Sequence, residues 1–218
     1  MRSENSMLRI GLLASSVLCS PVPANAHNPI EGIGTFYGYM LHTLIVPAHA
    51  LLFAGTTLMI GQQKRSGARI GLAAFIIAFV VGLAISGAGS SGAVNEWQLL
   101  VGAFMAGGAV SLGRQIPIVV LAPAVATAGL AIGLDSSPSG VPAEDAWLAF
   151  AGLLIGTASL GLVVTGLTVD PTKEWKRIGV RIAGSWIVAV SILVLSLPLA
   201  GGEAVENAAT QLYPGSSD

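Results

Sequence analysis

Two histidines sit inside the apolar run of residues 36–63, FYGYMLHTLIVPAHALLFAGTTLMIGQQ. His42 and His49 are seven residues apart, with Pro47 between them. The run is long enough to cross a bilayer, which takes about 20 helical residues. Imidazole is a metal ligand and carries a proton near neutral pH. At membrane depth such a group is costly, so it faces the protein interior and often marks a site. In an unbroken helix two turns bring both rings to one face, about 10 Å apart along the axis. Pro47 lacks the N–H that would bond to the Thr43 carbonyl, which predicts a kink or a freed carbonyl. A single imidazole could simply bond a neighbouring helix. A same-face pair beside a proline points instead to a polar lane through the membrane.

Of the 218 residues that must position these rings, 53% are hydrophobic and 10% charged, with 28 glycines. Soluble domains carry about 25% charged residues. The composition therefore predicts an all-α, polytopic membrane protein, with glycine where helices pack closely. Residues 1–26 read as a cleavable signal peptide: Arg2 and Arg9, a short apolar core over 10–18, and an A-x-A signature at Ala24, Asn25 and Ala26. The single cysteine, Cys19, falls in that segment, so the mature chain has no disulfide and no thiolate metal site.

Six apolar segments follow, at about 36–61, 70–86, 97–112, 116–134, 147–167 and 178–199. They predict a six-helix transmembrane bundle over 36–200, between a short periplasmic segment, 27–35, and a periplasmic tail, 201–218. Small residues four apart, such as Gly129 with Gly133 and Gly152 with Gly156, allow close helix approach. Beyond Arg2 and Arg9, every basic residue lies in alternate loops: Lys64, Arg65 and Arg69; Arg114; then Lys173, Lys176, Arg177 and Arg181. The opposite loops hold only acids. Basic residues favour the cytoplasmic side, which places both mature termini outside the inner membrane of a bacterial cell. A net charge of −1 suggests no nucleic-acid partner.

The outer loops supply more ligand chemistry. Glu31, Glu96, Asp135, Glu144 and Asp145 make an acidic mouth that would concentrate divalent cations. Glu96 and Asp135 each abut a helix end. Cleavage after Ala26 would leave His27 with a free α-amine, a two-nitrogen chelate for a borderline metal. The candidate metal ligands are thus His42, His49, His27, Glu31, Glu96 and Asp135.

The first helix resembles the HupE/UreJ family, membrane proteins regarded as nickel or cobalt permeases accompanying hydrogenases and ureases. The family motif is H-P-x-x-G-x-D-H followed by an apolar run. Here both histidines match at His42 and His49, while Thr43, Val46 and Ala48 replace its proline, glycine and aspartate. Glu96 matches a glutamate opening the third helix, and Arg177, Ile178 and Gly179 are similar to the family's basic start of the sixth. The fourth-helix motif, H-G-x-x-H-G-x-E, aligns with residues 128–135. Gly129, Gly133 and the acid at Asp135 survive, but Ala128 and Ile132 stand where the family has histidines.

The resemblance implies six spans, a signal peptide and passage of nickel or cobalt. Both ions accept imidazole nitrogen and carboxylate oxygen, as does copper. A transport site binds weakly and reversibly, which suits a few ligands strung along a lane. No tightly held cofactor is expected; the metal is cargo. No P-loop and no nucleophile–base pair is present in the spans, so an enzyme is not expected. The expected function is a secondary permease for a divalent transition-metal cation. The alternative is a non-transporting accessory, or a metal- or heme-holding subunit, of a membrane complex. Partners beyond the lipid bilayer and the metal, whether a homo-oligomer or a larger membrane complex, stay open.

Overall fold

The computed structural model describes residues 33–89, 94–138, 141–169 and 174–212, with side chains as far as Leu197. The expected signal peptide, His27 and Glu31 lie outside the described residues. Within them the chain is all-helical: α1 (Gly34–Ile45), α2 (Pro47–Gly61), α3 (Arg65–Gly87), α4 (Glu96–Leu112), α5 (Ile118–Asp135), α6 (Ala146–Thr168) and α7 (Glu174–Leu212).

The first expected span is two helices, bent by 72° at a break after Ile45. Val46 is extended, at φ −80 and ψ 113, the conformation that a following proline imposes. Pro47 then takes the first helical position of α2, where a missing N–H is no loss. Elsewhere the helix ends follow local chemistry. Asn95 and Gln98 form a reciprocal capping box at the start of α4. Gly113, at φ 65, ends that helix in the left-handed conformation that glycine adopts without strain. The last helix continues to Leu212, past the expected end near 199; residues 203–212 are rich in the helix formers Ala, Glu and Gln.

Among the described residues, four helices are long and apolar enough to cross a membrane: α3, α5, α6 and α7 over Glu174–Leu197. The bent pair α1 and α2 makes a fifth if it counts as one span. At 17 residues, or about 25 Å, α4 falls about a turn short of the ~30 Å hydrocarbon core. Their outward faces are apolar: Ile77, Val119 and Leu162 are 64%, 79% and 63% exposed. Water would penalise such a surface, whereas lipid is its natural solvent.

With no hydrophobic drive between helices in lipid, close packing over small residues holds the bundle together. A Cβ at Gly152 or Gly156 of α6 would overlap the backbone of Phe36 or Met40 in α1. One at Gly82 of α3 would lie 2.6 Å from the Leu130 carbonyl oxygen of α5, and Gly133 of α5 is pressed equally hard on Phe79 of α3. A Cβ at Gly55 of α2 would lie 3.0 Å from the Ala106 Cβ of α4. Gly107 of α4 and Gly184 of α7 each abut the other's carbonyl. The core between these pairs holds Tyr39, Phe53, Ile60, Phe75, Phe79, Leu99, Val125, Ile132 and Leu153.

Candidate functional site

The break between α1 and α2 sets the geometry of the two histidines. His42 lies in the last turn of α1 and His49 in the first turn of α2. Their ring centroids are 5.4 Å apart, at 64°. A straight helix would hold them about 10 Å apart along its axis. The 72° bend closes that gap and turns two points on a stripe into one cluster. The rings are buried, with His42 7% exposed and His49 fully covered.

Asp135 completes the cluster. Its Oδ2 lies 2.9 Å from His49 Nε2. A carboxylate only accepts, so Nε2 is the donor in this bond, and a neutral ring then carries its lone pair on Nδ1. That Nδ1 is buried and has no hydrogen-bond partner among the described residues. An imidazole held by a carboxylate on one nitrogen, with the other bare, is the arrangement that orients histidine toward a metal. Asp135 is the last residue of α5 and its side chain is 23% exposed, so it faces the surface at the acidic end. The tight contact of Gly133 with α3 fixes that end of α5.

Two further contacts support His42. The Tyr39 ring stacks beside it, centroids 5.8 Å apart at 28°. The Tyr39 hydroxyl is buried with no hydrogen-bond partner among the described residues. Next to His42, the hydroxyls of Thr43 and Thr157 are hydrogen-bonded at 2.8 Å, pinning α1 to α6. Neither Tyr39 nor this threonine pair was singled out by the sequence. Tyr39 lies three residues before His42, a helical same-face spacing, which was the available clue. The partnership of Thr43 with Thr157 spans 114 residues and left no local trace.

The other expected ligands are placed differently. Glu96 is exposed in the first turn of α4, where a carboxylate complements the helix dipole. Among the described residues no group of three His, Cys, Asp or Glu side chains is close enough to hold a metal ion together. His42, His49 and Asp135 therefore form a chain of contacts, not a closed coordination sphere.

No curated protein matches the chain. No solved structure matches it either. A family model described as HupE / UreJ protein matches residues 14–195. That stretch takes in both histidines, Asp135 and every helix up to most of α7, so the chain belongs to the HupE/UreJ family, membrane proteins linked to metal uptake or to accessory roles in it.

Proposed function

We propose that this protein is a permease for a divalent transition-metal cation, nickel or cobalt, with His42 and His49 in its path. One observation carries the reading: the bare, buried Nδ1 of His49, held by Asp135 and set beside the His42 ring. Neutral nitrogen of this kind suits nickel and cobalt better than hard cations such as magnesium. The described basic residues Lys64, Arg65, Arg69, Arg114, Lys176, Arg177 and Arg181 mark the cytoplasmic side, by the preference of Lys and Arg for it. The cluster then lies toward the outside, and Asp135 is the group a cation meets first. Asp135 attracts the ion and orients His49; His49 and His42 exchange nitrogen for bound water as it moves inward. His49 has no exposed surface, so access requires the end of α5 to move away from α2.

The test is nickel and cobalt uptake by the purified protein in liposomes. His42→Ala and His49→Ala should each abolish uptake while the protein still inserts and purifies as a folded bundle. Normal uptake by the double variant would refute the permease reading. The replacement of the family's fourth-helix histidines by Ala128 and Ile132 favours a second reading, a non-transporting accessory subunit that holds metal for a partner. Stoichiometric retention of nickel by purified protein that supports no flux would favour it.

A further inference from the structure

A second polar feature lies at the opposite, basic end of the bundle and plays no part in the histidine cluster. A cavity of about 390 Å³ opens there between the end of α2, the turn after α4 and the start of α7. Gln62, Gln63, Gln115, Glu174, Arg177 and Arg181 line it. Arg177 and Arg181 are one helical turn apart on α7 and share a face. Arg181 donates from Nε to the Ser111 carbonyl oxygen at 2.9 Å. Its stem fits against the bare Cα of Gly113, where a Cβ would lie 2.9 Å from Arg181 Cδ. One guanidinium is thus anchored at the cavity, and the other stands a turn away.

Two glutamines build the inner wall. Gln63 is 4% exposed, and its amide is satisfied on both sides, by Ile116 N and by the Met59 carbonyl oxygen. Gln62 donates from Nε2 to the Val110 carbonyl oxygen at 2.8 Å. Its Oε1 is buried and accepts nothing among the described residues. A buried amide oxygen without a donor costs on the order of 1–3 kcal/mol, so a donor that reached Gln62 Oε1 through a small shift of its side chain would recover that cost. The arginines ask for an anion. Exposed Lys64, Arg65, Arg69 and Arg114 make the surroundings positive, which repels free cations.

Position narrows the source of that anion. Trp175 is 66% exposed at the start of the same helix, and Lys176 lies over its ring. Exposed tryptophan beside lysine is the pattern of a headgroup layer, and basic pockets between helices at that level take lipid phosphates. We propose that this cavity binds the phosphoglycerol headgroup of an anionic phospholipid. The phosphate sits on Arg177 and Arg181, and a glycerol hydroxyl donates to Gln62 Oε1. This assignment is independent of the transport reading.

The experiment uses the full chain, purified in detergent and delipidated. Phosphatidylglycerol, phosphatidylcholine or inorganic phosphate is added back, with bound lipid counted by native mass spectrometry and unfolding followed by heating. Phosphatidylglycerol should be retained and should raise the unfolding temperature by several degrees; phosphatidylcholine should not. Arg177→Gln with Arg181→Gln should lower phosphatidylglycerol retention roughly tenfold or more. Arg177→Gln alone leaves the Ser111 bond intact and serves if the double variant does not fold; it should show the same loss in part. Arg65→Gln, outside the cavity, should retain lipid like the unaltered chain. Equal retention of the two lipids, or unaltered retention in the Arg177 variant, would overturn the site. The same stabilisation by inorganic phosphate alone would assign the cavity to a soluble anion and overturn the lipid headgroup.

Discussion

His49 donates its Nε2 proton to Asp135 at 2.9 Å, across 86 residues of sequence. The bond joins the first turn of α2 to the last residue of α5 and settles which imidazole nitrogen is left for an ion. Asp135→Asn keeps the shape but makes either tautomer of His49 acceptable. Nickel affinity should fall by about 10- to 100-fold, the usual cost of losing such a partner, with little change in unfolding temperature. Calorimetric titration of the purified variant measures it, and unchanged affinity would remove Asp135 from the site.

The proline break is the next target. Pro47→Ala restores the N–H that can bond the Thr43 carbonyl and lets α1 and α2 run on as one helix. The rings should then separate from 5.4 Å toward the spacing of a straight helix. Uptake should drop strongly while thermal stability holds or rises. A variant that transports at the normal rate would show that ring proximity is incidental.

Close packing of α1 on α6 makes a stability prediction. Gly156→Ala places a methyl against the Met40 backbone, and overpacking of that kind costs about 1–3 kcal/mol. Gly166 of the same helix has open space around it, so Gly166→Ala should be neutral or stabilise by up to about 1 kcal/mol. The two unfolding temperatures, measured side by side in one detergent, should move in opposite directions or differ by several degrees.

The threonine pair can be measured by a double-mutant cycle. Both residues are essentially buried, at 0% and 1% exposure. Thr43→Val removes one hydroxyl, and the expected loss is about 0.5–2 kcal/mol. Thr43→Val with Thr157→Val should recover part of that loss, because no hydroxyl then lacks a partner. Strict additivity of the two single changes would mean that the bond contributes nothing.

Much of this architecture was legible in composition. Helices form over the apolar segments that the sequence marks, because lipid demands that the backbone satisfy its own hydrogen bonds, but the first segment is two helices and not one continuous span. Helix α3 begins earlier, at Arg65, since Arg65 and Arg69 can stay helical at the headgroup level. The kink at Pro47 was expected, but its size was not; 72° depends on what α1 and α2 pack against. For the same reason the ring spacing came out shorter than the helical estimate. Asp135 was a candidate by its place at a helix end, yet its contact with His49 is a tertiary fact. Helix α4 carries a good apolar pattern, but its cap at Asn95 and its stop at Gly113 leave it only 17 residues.

Three of the close glycine contacts join helices in pairs. Met40 against Gly156 unites α1 with α6, Gly55 against Ala106 unites α2 with α4, and Gly82 against Gly133 unites α3 with α5. His42, His49 and Asp135 each ride on a different pair. Three helix pairs thus meet at one point, and each brings a single donor to it. Gly61 of α2, set hard against Thr168 of α6, ties two of these pairs together at the basic end, so movement between them would open at the acidic end, where the three donors lie.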